Sequence, residues 1–140
     1  MESDDTSPAT GSASTGLGLD ENVEGALAYL VGLLSGVALY FLEDNEFVRF
    51  HAAQSIVASL VVAAVVIGVN LLATVVQLIT IASGAPGGGP LAGVLSAGFR
   101  LLSVGIFLVV VSGWLFLMLR AFQGQRYRVP VVAKLADAIV

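Results

Sequence analysis

A chain of 140 residues with 57% apolar and 11% charged side chains carries less than half the charge of a soluble domain, for which about 25% is usual. That is too little polar surface to cover a globule in water, and it points to a lipid bilayer as the surrounding medium. The absence of cysteine excludes disulfide staples and thiolate metal sites, and a single histidine, His51, leaves a zinc site hard to build.

The net charge of −4 is unevenly placed: residues 1–24 hold six acids and no base, whereas the rest of the chain holds six bases and four acids. Acid excess with one lysine among six bases suggests a salt-loving, haloarchaeal source. Residues 1–20 read as a disordered acidic tail, because Ser, Thr, Gly and Asp cannot bury enough surface to offset the entropy of ordering. The acidity argues against a secretory signal, which opens on basic residues.

The first apolar run predicts a helix over 23–42. Asp20 or Asn22 supplies its N-cap, and the nearby acids suit the positive end of the helix dipole. Some 20 residues at about 1.5 Å each match a hydrocarbon layer of about 30 Å. Gly25, Gly32 and Gly36 fall on one side, where small residues let another helix approach closely. A polar joint follows, Glu43, Asp44, Asn45 and Glu46.

The second predicted helix spans 47–83, longer than one crossing needs, so part of it must tilt, protrude or break. Its polar residues Ser55, Ser59, Asn70 and Gln77, with Thr74 beside them, share one face at 100° per residue. An uncompensated amide in hydrocarbon is costly, so this stripe should face other helices or a wet cavity. Residues 84–90, with four glycines and two prolines, break the chain. The third predicted helix spans 91–122, and the 19 uncharged residues between Arg100 and Arg120 fit one crossing with an arginine snorkelling at each end. Residues 123–128 are basic. From Pro130 a short helix over 130–139 is expected, lying in the interface or packed on the end of the bundle.

These features define an all-α integral membrane protein with three long transmembrane helices, a disordered acidic N-tail and a short interfacial C-terminal helix. Three crossings put the joint and the C-tail on one side with five of the six bases. The positive-inside rule makes that side cytoplasmic and leaves the N-terminus outside. Glu43, Asp44 and Glu46 then share a side with Arg120, Arg126 and Arg128, and the two joints should touch.

The first joint reads Glu43-Asp44-Asn45-Glu46-Phe47-Val48-Arg49-Phe50-His51-Ala52-Ala53-Gln54, and the last reads Gly124-Gln125-Arg126-Tyr127-Arg128-Val129-Pro130. Over roughly residues 21–135 the chain resembles the Tic-twenty-like family of small membrane proteins, relatives of a chloroplast inner-envelope import component. The resemblance implies a role like that of a protein-translocation subunit. It marks Glu43, Asp44, Asn45, Phe47, Arg49, Phe50, His51, Gln54, Gly124, Arg126, Tyr127 and Pro130 as motif positions. The plant relative is described with four helices, one more than are read here. In their own right, aromatics suit a membrane boundary, and Glu46 and Arg49 are spaced to pair. His51 with Gln54 either bonds the C-terminal joint or receives a polar group or a proton. Tyr127 with Arg126 and Arg128 either anchors the chain or holds anionic lipid heads.

Enzyme templates are absent: there is no Gly-x-Ser-x-Gly elbow, phosphate loop or HExxH, and no basic patch with interleaved aromatics for nucleic acid. No catalytic residue, metal or cofactor is expected. The expected partners are the bilayer and other membrane proteins or a second copy. The leading reading is a subunit or assembly factor of an envelope complex. The alternative is a small oligomeric channel or transporter with Ser59, Asn70, Thr74 and Gln77 lining a polar path.

Overall fold

Long uninterrupted apolar sequence makes long helices, and the second and third runs do so. In a computed structural model describing residues 14–84 and 89–130, four helices follow one another: α1 Glu21–Leu27, α2 Leu33–Leu42, α3 Glu46–Ala82 and α4 Gly89–Phe122. At about 1.5 Å per residue, α3 and α4 are each roughly 50 Å or more in length. Neither breaks, and each is long and apolar enough to cross a membrane. Asn45 starts α3 by accepting hydrogen bonds from the Phe47 and Val48 N–H groups at 2.8 and 3.2 Å, a side-chain N-cap. Gly84, at φ 80°, follows the last residues of α3 in the left-handed conformation common past helix ends.

The continuous helix expected over 23–42 does not form. The chain leaves α1 in a turn over residues 28–32 and restarts as α2 at Leu33. The pivot is Gly32, whose φ of 59° and ψ of −116° lie in a region that side chains disfavour. Ser35 Oγ repairs the interrupted ladder by accepting from the Val31 N–H and donating to the Ala28 carbonyl. On the far side of the turn, Trp114 Nε1 donates to the Tyr29 carbonyl at 2.5 Å. Carbonyls and N–H groups freed by the break thus find side-chain partners, as buried backbone must.

The break turns a predicted crossing into a wedge that enters and leaves at one end. Going in, Gly25 lies against Phe47 and His51, and Gly32 lies against Ser59 and Trp114; coming out, Gly36 lies against the Ala52 carbonyl. Leu39 clusters with Val48 and Ala52 on the way out. From Glu46 to Ser59 is roughly 20 Å along α3, which is the depth of the wedge. Seven-residue α1 and ten-residue α2 are each too short to span hydrocarbon of about 30 Å. The expected three long helices are therefore corrected to two long helices and a broken pair. The N-terminal segment lies at the same end of the molecule as residues 123–130.

The tail is also ordered further than expected. Residues 14–20 form a turn closed by the Ser14–Asp20 bridge and the Thr15–Leu19 backbone bond. It docks where the Glu43 carboxylate accepts from the Gly16 and Leu17 N–H groups, both at 3.0 Å. A buried carboxylate needs donors, and an otherwise featureless Ser/Gly segment supplies them. Residues 1–13 and the remainder of the C-terminal helix expected over 130–139 lie outside the described residues; Pro130 itself is helical.

Packing is concentrated at the wedge end. Ala26, Tyr29, Leu117 and Ala121 seal α1 to α4, and Ala53, Val57 and Ala58 lie beside Trp114 and Val129. Beyond Ser59 the two long helices are almost bare: only 11% and 6% of their most apolar windows are buried within the chain.

Candidate functional site

The polar residues of both joints converge beneath the wedge. Tyr29, His51, Gln54, Glu24, Glu43 and Ser55 are all buried. Gln54 Nε2 donates to Tyr29 Oη and to the Tyr127 carbonyl, both at 3.1 Å, so one amide ties the wedge, α3 and the C-terminal joint together. His51 Nδ1 lies 3.2 Å from Tyr29 Oη, with its ring edge-on to Phe47 and Phe50 at 4.5 and 5.1 Å. Ser55 Oγ donates to the Gly32 carbonyl at 3.1 Å, holding the pivot. Asn45 Nδ2 donates to Glu21 Oε2 at 3.1 Å, joining the starts of α1 and α3. Among the described residues, Glu24 Oε2, His51 Nε2 and Gln54 Oε1 are buried in this interior without a hydrogen-bond partner.

Around the network the arginines lie over aromatic faces. Arg49 sits over Tyr40 at 4.8 Å, Arg120 over Phe116 at 5.0 Å, Arg126 over Phe47 at 5.8 Å and Arg128 over Phe50 at 5.5 Å. Such cation–π contacts suit a guanidinium at a membrane boundary, where it covers apolar surface and keeps its charge wet. The two joints therefore meet as expected, but through rings and amides. Glu43 spends both oxygens on the N-terminal turn, Asp44 is exposed, and Arg49 takes Tyr40 in place of the expected Glu46 pairing.

The motif residues separate by role. Asn45, Phe47, Phe50, His51 and Gln54 build the interior. Gly124, at φ 71°, closes α4 where a Cβ would come within 3.1 Å of Asn22 Oδ1. Arg126 and Tyr127 are exposed, and so is Pro130. Of the predicted polar stripe, Ser59 donates to the Ser55 carbonyl, Asn70 to Val66 and Thr74 to Asn70, each at 2.8 Å. Back-bonding of this kind satisfies these three donors on their own helix, whereas Ser55 bonds the Gly32 carbonyl and Asn70 and Gln77 line the cleft between α3 and α4. Gly25, Gly32 and Gly36 do serve close packing, but within the chain. Sequence reading passed over Tyr29, Glu24 and Trp114. Their only signal was the presence of a tyrosine and an acid within a small-residue helix beside a glycine.

Burial lifts the Glu24 carboxyl above the ordinary glutamate range; the Thr15 hydroxyl works against this, and the Glu43 charge adds to it. A raised carboxyl favours the protonated folded state, so its contribution is fully present at low pH and is lost as pH rises through the folded value. Acidification from neutral pH down to the ordinary glutamate value of 4.5 is expected to raise the unfolding temperature of the parent more than that of Glu24→Gln. Equal slopes for the two proteins in a detergent melt would remove this assignment.

A profile of the magnetosome magnetite crystal formation protein family matches residues 20–136. Relatives include a UPF0132 membrane protein of Methanocaldococcus jannaschii, 34% identical over 88% of this chain and 91% of the relative. A second from the same organism is 33% identical over 86% of this chain and 71% of the relative. A UPF0132 membrane protein of Archaeoglobus fulgidus is 29% identical over 85% of this chain and 94% of the relative. No solved structure matches. These matches correct the resemblance to the Tic-twenty-like family: the joint residues that suggested it match a different family, and the translocation role it implied falls with it. The relatives are archaeal, but nothing in them supports a salt-loving source. The chain belongs to the magnetosome magnetite crystal formation protein family, and its archaeal relatives are named membrane proteins.

Proposed function

We propose that this is a two-span membrane protein that acts by assembling with lipid and neighbouring membrane proteins, and that it is not an enzyme. The observation that carries the reading is the contrast between the two ends of the hairpin. The wedge end buries its polar groups within the chain, whereas the long helices bury only 11% and 6% of their apolar windows in the chain itself. Lipid or other chains must cover the rest. The arginine collar supplies the orientation: Arg49, Arg120, Arg126 and Arg128 gather at the wedge end, against Arg100 alone further along α4. The positive-inside rule makes the wedge end cytoplasmic, with residue 14 and residue 130 both on that side. This replaces the arrangement with the N-terminus outside.

The family's description concerns magnetite crystal formation. Among the described residues no three His, Asp or Glu side chains gather where they could hold a metal ion, and mineral chemistry is not assigned to this chain. A channel is disfavoured because Ser59 and Thr74 give their hydroxyl donors, and Asn70 one amide N–H, to their own helix. Photo-crosslinkers at exposed Leu72 and Val109, in native membranes, should give discrete protein adducts as well as lipid adducts. Solute flux through liposomes of the purified protein, lost on Asn70→Leu and Gln77→Leu, would replace this reading with a channel.

A further inference from the structure

Away from the wedge, α3 and α4 part to form a cleft of about 540 Å³ whose polar lining includes Asn70, Gln77, Ser96, Arg100 and Ser103. Arg100 is the only charged side chain between Arg49 and Arg120. Every acid among the described residues lies at or before Glu46, and no acid lines the cleft. Neither Arg100 nor Gln77 makes a side-chain hydrogen bond among the described residues, whereas Ser96 and Ser103 bond their own helix. Arg100 stands 20 residues from Arg120, about 30 Å along α4, which places it at the border of the hydrocarbon opposite the collar. An uncompensated guanidinium there calls for an anion.

The cleft continues into a second one towards the wedge. The two share Asn70 and Ser103, and the second, about 240 Å³, is otherwise lined by Val62, Val66, Val69, Ile106, Phe107 and Val110. A cationic, amide-bearing mouth thus opens directly onto an apolar groove running along the helices. Polarity changes along it in the order of a phospholipid: phosphate first, then acyl chain.

We propose that the α3–α4 cleft is a binding seat for one anionic phospholipid of the leaflet opposite the collar. Arg100 receives the phosphate with Gln77 beside it, and one chain lies in the groove past Asn70 and Ser103. This deepens the proposed assembly with lipid and rests on it only for the presence of a bilayer. A guanidinium engages phosphate by paired charge-assisted hydrogen bonds. A phosphatidylglycerol molecule should therefore be retained while zwitterionic phosphatidylcholine is washed away.

The test is native mass spectrometry of the full chain, delipidated in mild detergent and titrated with each lipid. The parent should hold one phosphatidylglycerol in preference to phosphatidylcholine, and excess inorganic phosphate should not displace it. Arg100→Gln should weaken that binding roughly tenfold or more. Ser103→Leu, which blocks the junction and leaves the charge, should also weaken it. Arg128→Gln, at the far end, should not. Equal binding of the two lipids by the parent, or an unchanged preference in Arg100→Gln, would overturn the seat. Displacement by inorganic phosphate would reduce it to a simple anion site. High-yield disulfide dimers of Ser96→Cys in membranes would show a second copy in the cleft instead. Loss of protein adducts in the crosslinking experiment would count against the assembly role but would leave these lipid results standing.

Discussion

Gly32→Val is expected to destabilise the protein by roughly 2–5 kcal/mol, combining backbone strain with overpacking. At φ 59° a β-branched residue is strained before any neighbour is considered. A Cβ there would also come within 2.8 Å of the Trp114 ring and 3.1 Å of Ser59 Oγ. The ring cannot retreat freely, because its Nε1 donates to the Tyr29 carbonyl. Such a loss is a large part of the total stability of a domain, about 5–15 kcal/mol. Gly68→Val is the control: it lies within α3 with nothing inside 4 Å of the added Cβ and should be nearly neutral. Denaturant unfolding in detergent, followed by emission of the single tryptophan, reads both. Equal stabilities for the two variants would mean that the turn at Gly32 is not the element that holds the wedge.

Gln54→Leu should cost about 2–4 kcal/mol, because it leaves the Tyr127 carbonyl and Tyr29 Oη without their shared donor in a buried setting. The loss is partly offset, since Gln54 Oε1 is itself unpartnered in the parent. The sharper expectation is non-additivity. Tyr29→Phe should cost clearly less in the Gln54→Leu background than in the parent, by about 0.5–3 kcal/mol as for residues in one network. Strict additivity of the two substitutions in thermal unfolding would mean that Tyr29, Gln54 and Tyr127 are not energetically joined.

Much of the architecture was written in hydropathy. Two apolar runs of more than 30 residues can only be long helices, and their predicted limits of 47–83 and 91–122 differ from those observed by two residues or fewer. The joints announced themselves too, because charged and aromatic residues between apolar runs have nowhere to sit but a boundary. What hydropathy could not convey was the break at Gly32. A run of 20 apolar residues with several glycines satisfies a spanning helix and a folded wedge equally well. The choice depends on long-range partners: Trp114 for the Tyr29 carbonyl, Ser55 for the Gly32 carbonyl, Gln54 for the Tyr29 hydroxyl. The small residues announced close helix packing, and Gly25, Gly32 and Gly36 provide it against α3 and α4. The docked turn at residues 14–20 was hidden for the opposite reason. Its composition is that of a loop, and two carboxylates give it a place: Glu43 accepts from the Gly16 and Leu17 N–H groups, and Glu24 accepts from the Thr15 hydroxyl.

The claim on which the rest depends is that residues 21–42 enter the membrane and return to the side they came from. The chain has no cysteine, so single cysteines at Leu17, Gln123 and Ser83 can be labelled one at a time with a membrane-impermeant maleimide in intact cells and in opened membranes. Leu17→Cys and Gln123→Cys should both be protected in intact cells and react once the membranes are opened, while Ser83→Cys reacts from outside. Reaction of Leu17→Cys from outside with Gln123→Cys still protected would mean that the first helix crosses the bilayer, and the wedge would be wrong.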